Sequence, residues 1–386
     1  MHGVSEVIFF LSVAFVAYTL AGYPIALALT ALLNFRPVVR RYEPKTVTIL
    51  LPVRNGERWL RDKLESLFAL RYPPELVQIL VISDGSTDST DDLASQYAAC
   101  RRIEFLRVAA GGKAVALNAG LERADGEILF FTDVRQQLDP DSLKNLVACF
   151  ADPSVGVASG ELVIREGRTH EEASVGLYWR YEKWLRKRES RIHSVMGATG
   201  CIYAMRRALA TPFPPGTLVD DMFLPLAVFF KGYRVIVEES ARAFDYPTAL
   251  ETEFRRKVRT QAGVYQIMGL FPQLLTPRNR MWLAFLSHKL ARLLMPFALL
   301  LAGAASFGLS QPWRAMALGA QAVFYGVAVL DLWIPDRFTF KGISAAIRGF
   351  TVLMAAAFCA ALLLLRPSEN LWKETTVRVA EPRADA

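Results

Sequence analysis

The chain has 386 residues, of which 53% are hydrophobic and 21% are charged. This composition excludes intrinsic disorder, since there is ample apolar surface to bury, and it argues against an ordinary soluble globule. Lys and Arg outnumber Asp and Glu by 45 to 37, a balance that favours an anionic membrane face or a phosphate-bearing substrate over nucleic acid. The cysteines lie far apart and form no CxxC pair, which argues against structural zinc and fits a reducing cytosol.

The first element in chain order is a long apolar segment, 7–35, which contains no charged residue. About 20 apolar residues suffice to cross a bilayer, so the segment predicts a transmembrane helix. A cleaved signal peptide is the alternative, but it would need a cationic start, and residues 1–6 contain no Lys or Arg. Basic residues follow the segment at Arg36, Arg40, Arg41 and Lys45. By the positive-inside rule, the next part of the chain is therefore cytoplasmic.

Between residues 36 and 280 the composition becomes that of a water-soluble α/β domain. Short apolar runs predict strands at 46–52, 77–83 and 127–132. Amphipathic periodicity and capping residues predict helices at 57–70, from near Thr87, at 114–123 and after Asp139-Pro140. Because strand and helix alternate, the sheet should be mostly parallel and doubly wound, with ligands at the carboxyl ends of its strands.

Two aspartates stand where predicted strands end, and we expect both to face the same crevice. Asp84 follows VQILVIS and begins the motif DGSTD. There it could accept the imide proton of a pyrimidine base, or it could simply belong to a helix N-cap turn. Asp133 follows EILFFT and could hold a divalent metal that bridges phosphates, although one aspartate alone is a poor metal site.

Two basic residues near these strand ends are candidates for a diphosphate. Lys113 follows Gly111 and Gly112 and precedes a predicted helix, which suits a diphosphate but also fits an exposed loop lysine. Arg135 could contact a diphosphate as a planar fork. It could instead form a salt bridge with Asp139 or Asp141.

Three later motifs are candidates for the remaining chemistry. Gly197–Gly200 reads GATG, and the adjacent carboxylates of Asp220 and Asp221 follow a Pro-Pro-Gly loop. Like-charge repulsion can raise the pKa of one of them, as a general base requires, although a helix N-cap pair is the alternative. The basic run at 255–259 fits a solvated or lipid-facing helix face as well as a substrate contact.

The C-terminal part repeats the apolar pattern of the first segment. Residues 293–313, 315–330 and 349–365 are uncharged and predict three more spans, with buried core helices of a soluble domain as the alternative. Residues 282–292 mix apolar and cationic side chains and predict either an interfacial lead-in or a helix end whose cationic side chains snorkel to the membrane surface. Four spans with a cytoplasmic middle put both termini outside, whereas the basic tail favours the inside.

In their order along the chain, these motifs resemble those of a known enzyme family. PVRNGE, VISDGSTDST, GGKAVALNAGL, FFTDV, GATG and VDD resemble the successive motifs of glycosyltransferase family 2. The flanking spans are similar to those of its membrane-bound bacterial members, relatives of cellulose, chitin and hyaluronan synthases. The resemblance implies an α/β GT-A fold, Rossmann-like with a mostly parallel sheet, in a cytoplasmic domain flanked by transmembrane helices.

This resemblance also implies a division of the chain and a reaction. The division is an N-terminal helix 1–35, a catalytic domain 36–280, a membrane region 281–366 with about three helices, and a tail 367–386. The implied reaction is an inverting transfer of a sugar from a nucleotide sugar, usually a UDP-sugar, to a lipid or glycan acceptor. It would take place at the inner membrane of the cell, without any nucleic acid partner.

Matched motif by motif, the resemblance assigns the donor site. Asp84 would hold the uracil, with Asn55 and Glu57 near the nucleoside and Lys113 near the base or the diphosphate. Asp133 would be the first Asp of the DxD motif and would face ribose, phosphate and a Mg²⁺ or Mn²⁺ ion. Its second Asp is replaced by Arg135, a departure from the pattern that bears directly on the metal.

The resemblance also assigns the catalytic and acceptor residues. Asp221 would be the general base, with Asp220 where the family usually has Glu. The acceptor site would be lined by Gly197, Thr199 and Gly200. The region of the processive synthases' QxxRW motif would hold Arg256 and Arg259, but it contains no Trp.

Three functions remain open from the sequence. The first is transfer of a sugar to a membrane-associated acceptor, and the second is a processive synthase that also exports its polymer. The third is a sensor that binds a nucleotide sugar without catalysis, which the altered DxD motif favours and the retained Asp133 and Asp221 oppose.

Overall fold

The structure is a computed structural model that describes residues 2–100, 102–164, 170–246, 250–335 and 338–363. The chain forms two compact units. We call the first the helical unit, which comprises Met1–Leu33, Glu166–Leu185 and Tyr246–Ala386. The second is the sheet unit, which comprises Asn34–Arg165 and Arg186–Asp245.

The sheet unit is built on eight strands in the order β3-β2-β1-β4-β7-β6-β8-β5. Pairing is parallel between β1 and β2, β1 and β4, β2 and β3, and β6 and β8. It is antiparallel where β7 joins β4 and β6, and where β5 joins β8. The predicted α/β class with a mostly parallel sheet is therefore confirmed. The strands are β1 Val47–Val53, β2 Val77–Asp84, β3 Glu104–Val108, β4 Ile128–Thr132, β5 Gln137–Leu138, β6 Val155–Ile164, β7 Ile202–Arg206 and β8 Arg234–Asp245.

Thirteen α-helices lie in the described part of the chain, and several are joined or followed by π or 3₁₀ turns. The helices are α1 His2–Ala17, α2 Tyr23–Leu33, α3 Glu57–Phe68, α4 Thr90–Ala99, α5 Lys113–Arg123, α6 Ser142–Ala148, α7 His170–Ile192, α8 Asp220–Phe230, α9 Leu250–Leu270, α10 Trp282–Ala284, α11 Ala291–Ser306, α12 Trp313–Leu330 and α13 Lys341–Leu363. The helix that we expected from near Thr87 begins at Thr90 instead. Residues before it are held in a loop, since Thr87 N donates to Asn55 Oδ1 and Ser89 N donates to Glu57 Oε2.

The core of the sheet unit explains why the central strands read as continuous apolar runs. Ile49 and Leu50 point to opposite faces of β1, and both are fully buried. One face is covered by α3, whose Leu60 and Leu64 are also fully buried. Helices therefore lie over a sheet that is buried on both faces, and the carboxyl ends of β1, β2 and β4 meet at one edge.

Among its described residues, the helical unit contains four helices that are long and apolar enough to cross a membrane. They are Gly3–Leu33, Trp282–Ser306, Trp313–Trp333 and Lys341–Leu362. A π-helical segment, Phe285–Leu290, links α10 to α11. Residues 282–292, which we expected to form a lead-in, therefore continue directly into the second of these helices.

Candidate active site

The carboxylate of Asp84, at the end of β2, binds the glycine turn that precedes α5. Gly111 N donates to Asp84 Oδ1 at 2.7 Å, and Gly112 N donates to Oδ2 at 3.0 Å. Gly112 has a φ of 88°, a conformation that other residues adopt only with strain. The Nη1 atom of Arg54 lies 3.7 Å from Asp84 Oδ2. Asp84 thus fixes the turn that delivers Lys113, and its contact with a base stays a prediction.

The ammonium group of Lys113 lies between two carboxylates that come from different parts of the chain. Its Nζ atom is 2.8 Å from Asp133 Oδ1 and 3.0 Å from Asp220 Oδ2. Burial alone would lower the pKa of Lys113, but the two carboxylates outweigh it and hold this pKa above its ordinary value. The structure therefore brings together three residues that the sequence assigned to one site.

The acidic pair opens helix α8, and both of its side chains are partly buried. Burial, and then the charge of Asp220, raise the pKa of Asp221 to about 6, although Lys113 and Arg186 act in the opposite direction. Such a carboxylate is ionised at neutral pH and still basic enough to take up a proton. This is the behaviour that a general base requires.

The GATG loop packs directly on Asp221. Ala198 N donates to the backbone oxygen of Asp221 at 2.7 Å. At Gly200, an added Cβ would lie 3.1 Å from Asp221 Oδ2, so even an alanine would crowd the carboxylate. This loop and the acidic pair therefore lie together in the structure, whereas the loop's role in acceptor binding stays a prediction.

Arg186 is a residue of this site that the sequence did not reveal. Its Nη1 atom donates to Thr199 Oγ1 at 3.0 Å, and its Nη2 atom donates to Gly197 O at 3.1 Å and Ser159 Oγ at 3.2 Å. It thereby holds the GATG loop in place and adds positive charge near Asp221. In the sequence it stands in a basic stretch of α7, where nothing distinguishes it from the neighbouring Lys183, Lys187 and Arg188.

Arg135 pairs with Asp245, and with neither of the aspartates that the sequence offered as partners. Its Nη2 atom is 2.6 Å from Asp245 Oδ2, the same oxygen that accepts from Gln136 Nε2 at 2.8 Å. The alternative of a salt bridge to Asp139 or Asp141 is therefore wrong. Asp245 ends β8, more than a hundred positions later in the chain, so local sequence could not identify it. A direct contact of Arg135 with a diphosphate stays a prediction.

Lys63 holds the end of β4 and the loop that follows it, and the sequence analysis did not identify this residue. Its Nζ atom donates to Thr132 Oγ1 and to Gln136 O, both at 2.6 Å. Burial lowers the pKa of Lys63 to about 7. A signal was present in the sequence, because Lys63 stands on the same helical face as Leu60, Leu64 and Leu67.

Asn55 and Glu57 join the first loop to the loop after β2. Asn55 has a φ of 50°, and its Oδ1 atom accepts from Thr87 N at 2.8 Å. The Oε2 atom of Glu57 accepts from Ser89 N at 2.9 Å. Both side chains therefore hold the loop that follows Asp84 through hydrogen bonds to its backbone. Their nearness to a nucleoside stays a prediction.

Arg256 and Arg259 belong to α9 of the helical unit. Arg256 forms an ion pair with Glu253 at 2.8 Å, and its guanidinium lies 5.1 Å from the ring centre of Trp179. These contacts lie within the helical unit. The predicted contact of the two arginines with acceptor or diphosphate stays a prediction.

Comparisons with known proteins agree with this arrangement of motifs. The family model for Glycosyl transferase family 2 matches residues 48–211, and the model for Glycosyl transferase family group 2 matches residues 134–363. The chain belongs to glycosyltransferase family 2. The predicted enzyme class, a glycosyltransferase, is therefore confirmed.

Two curated relatives share part of their length with this glycosyltransferase. Poly-beta-1,6-N-acetyl-D-glucosamine synthase from Staphylococcus aureus is 24% identical over 251 residues, which are 61% of this chain and 58% of the synthase. Glycosyltransferase GlyA from Streptococcus pneumoniae is 24% identical over 202 residues, which are 49% of this chain and 29% of GlyA. The chain thus spans less than two thirds of either relative.

A solved structure resembles nearly the whole glycosyltransferase. It is the mannosyltransferase PcManGT from Pyrobaculum calidifontis in complex with GDP-Man and Mn²⁺. The TM-score is 0.72 at 23% identity, and the match covers 93% of this chain and 99% of PcManGT. At this identity the likeness shows the fold, and the predicted GT-A fold is confirmed.

The residues of this site do not fit a conventional divalent-metal centre. Within the described ranges, no three His, Cys, Asp or Glu side chains come close enough to hold an ion. Asp133, the predicted metal ligand, shares the Lys113 ammonium with Asp220, and Arg135 replaces the second carboxylate of the DxD motif. The Lys113 ammonium thus already occupies the space between the carboxylates of Asp133 and Asp220.

Proposed function

We propose that this enzyme transfers a sugar, with inversion, from a UDP-sugar to a lipid or glycan acceptor at the membrane. The observation that carries this proposal is the Lys113 ammonium held between Asp133 and Asp220, next to which the proposed base Asp221 follows in the chain. A cation for the diphosphate and a base for the acceptor are the two groups that such a displacement requires.

In the proposed reaction, Asp221 takes the proton of an acceptor hydroxyl while the oxygen attacks the anomeric carbon. The bond from that carbon to the diphosphate oxygen breaks on the opposite side, and the configuration inverts. Negative charge develops on the departing diphosphate, where the Lys113 ammonium and the N-terminus of α5 stabilise it. Because Asp221 has a pKa of about 6, it is already ionised at pH 7.

The donor and the acceptor are assigned by different arguments. A UDP-sugar is supported by Asp84, a buried carboxylate at the end of β2, where nucleotides bind in such sheets. A membrane-associated acceptor and an inner-membrane location are supported by the four apolar helices and by the basic residues that follow the first of them. Polymer synthesis with export is the second candidate, and it is favoured by the name of the Staphylococcus aureus relative.

The test measures release of nucleoside diphosphate by the full chain in native lipid, with a panel of UDP-sugars and GDP-mannose. We expect turnover with a UDP-sugar, and a loss of at least about 100-fold in Asp221→Asn with donor affinity unchanged, because only the base is removed. Asp62→Asn, an exposed aspartate on α3, is the matched control. Turnover near the normal rate in Asp221→Asn would show that this residue is not the base, and binding without release in the wild type would favour the sensor.

A further inference from the structure

The sheet unit contains a cavity away from the candidate active site, and none of that site's residues line it. Its volume is about 260 Å³. Its wall is formed by the segment after α2, by the end of α7 and by β8. Basic side chains predominate among its charged lining residues, which are Arg36, Arg40, Lys187, Arg191, Glu238 and Glu239.

The two lining carboxylates are already paired with lining cations. Arg40 Nε lies 2.6 Å from Glu238 Oε2, and Lys187 Nζ lies 2.9 Å from Glu239 Oε2. These pairs leave the cavity with positive charge from its remaining arginines. A cavity of this charge attracts an anion rather than a metal ion or a neutral sugar.

Arg36 and Arg191 supply that remaining charge. They are joined through the backbone, since Arg36 N donates to Arg191 O at 2.8 Å. Both are exposed, and within the described part of the chain no carboxylate forms an ion pair with either guanidinium. A guanidinium group is planar and can donate two parallel hydrogen bonds to phosphate oxygens, so two arginines joined at one backbone contact suit a phosphate group.

The cavity begins only two residues after the end of the first apolar helix. Helix α2 ends at Leu33, so the Cα atom of Arg36 lies within about 11 Å of that helix end, because an extended chain spans at most about 3.6 Å per residue. This reach is fixed by the covalent chain. Phe35, which lines the cavity, is 59% exposed, and an aromatic side chain at this level fits the headgroup region of a bilayer.

We propose that this cavity binds the phosphate group of an anionic phospholipid of the cytoplasmic leaflet, through the guanidinium groups of Arg36 and Arg191. The adjacent Phe35 contacts the glycerol and the first carbons of the acyl chains. A zwitterionic headgroup binds less well, because its own cation opposes the two arginines. This inference rests on the proposed crossing of the membrane by the first apolar helix, and it is independent of the sugar transfer.

The test uses the full chain in a non-ionic detergent, titrated with dihexanoyl phosphatidylglycerol and followed by native mass spectrometry. We expect one tightly bound lipid, with a dissociation constant about tenfold higher in Arg36→Gln/Arg191→Gln, since two charge-assisted hydrogen-bonding groups are lost. The matched control is Arg41→Gln/Arg61→Gln, which removes the same charge from exposed positions outside the cavity. It should bind the lipid like the wild type.

Several results would overturn the proposal. Among them are unchanged lipid binding in Arg36→Gln/Arg191→Gln, an equal loss of lipid affinity in the control variant, and an equal affinity for dihexanoyl phosphatidylcholine. Inorganic phosphate that binds as tightly as the lipid would show a site for the free anion instead. Donor-dependent release of nucleoside diphosphate is measured on the same variants and should be unchanged, so a failure of the lipid site is distinguishable from a failure of the proposed transfer.

Discussion

At the scale of single residues, the position of Lys113 bears on the proposed reaction's need for a divalent ion. Its ammonium lies within 3.0 Å of both Asp133 and Asp220, which is where a bridging cation would otherwise balance the carboxylates. A lysine in this position supplies positive charge to a diphosphate without any metal. Arg135, which stands at the usual ligand position, is engaged by Asp245.

We therefore expect turnover of the wild-type enzyme to fall less than about threefold in excess EDTA, since the effective charge is built into the chain. Lys113→Met should lower turnover by about 100-fold, because one charge-stabilising group of this kind is worth about that much. Lys144→Met, an exposed lysine on α6, is the control. Complete loss of activity in EDTA with recovery in Mg²⁺ or Mn²⁺ would show that Lys113 is not a sufficient substitute.

The residues of the site differ in how well the sequence could reveal them. Asp84, Asp133 and Asp221 were found because each stands at an element boundary within a recognisable motif. Arg186 and Asp245 were missed because each joins the site through a tertiary contact. Arg186 donates to Thr199, and Asp245 pairs with Arg135. No spacing in the sequence encodes these contacts.

At the scale of elements, Lys63 connects helix α3 to the loop after β4. Its Nζ atom is 2.6 Å from both Thr132 Oγ1 and Gln136 O. That loop carries Asp133 and Arg135, so Lys63 acts as a positioning residue. Without its ammonium, the backbone oxygen of Gln136 would lose a buried donor, and such a loss costs about 1–3 kcal/mol.

Lys63→Met should lower the melting temperature of the full chain in detergent by several degrees, at about 2–4 °C per kcal/mol. Because folding lowers the pKa of Lys63 to about 7 from an ordinary value of 10.5, the unfolded chain binds more protons between these values. The free energy of unfolding of the wild type therefore rises with pH. The difference in this free energy between the wild type and Lys63→Met should increase from about pH 7 to about pH 9. Arg61→Met, on the exposed side of the same helix, should show neither effect. A deficit that shrinks as the pH rises would contradict the buried lysine.

The sequence predicted the strands that are buried on both faces, and it did not predict strand pairs whose members lie far apart in the chain. The strands β1, β2 and β4 were evident from apolar runs, since both faces of each are covered. The antiparallel strand β7 between β4 and β6 could not be foreseen, because strand order depends on contacts across more than 40 positions. The start of α4 was misplaced because Asn55 and Glu57 hold the preceding residues in a loop.

At the scale of the whole molecule, each compact unit joins segments that are far apart in the sequence. The helical unit joins Met1–Leu33 to Glu166–Leu185 and to the chain from Tyr246 onwards. Helix α9 packs on α13, and Glu182 of α7 forms ion pairs with His288 and Lys289. These partners lie about a hundred positions away, so local polarity gives no sign of them.

The apolar helices bear on whether the enzyme makes one linkage or a long polymer. Two hydrogen bonds join polar side chains on different helices: Gln321 Nε2 donates to Ser306 Oγ at 2.7 Å, and the hydroxyl groups of Tyr18 and Ser287 lie 2.7 Å apart. A pore that conducts a glycan needs polar groups that face the conduit and exchange partners with the passing chain. Four helices with internally paired polar groups favour a packed bundle over such a pore.

We therefore expect a single sugar to be added to each acceptor molecule, even when the donor is in large excess. The measurement is mass spectrometry of the lipid extract after reaction in native membranes, where the product should be heavier than the acceptor by one sugar residue. Heat-inactivated enzyme and Asp221→Asn serve as controls for prior glycosylation of the membranes. A ladder of products separated by one sugar would contradict this expectation and favour the processive synthase, because repeated addition requires that the growing chain stay bound beside Asp221 while it leaves through the bilayer.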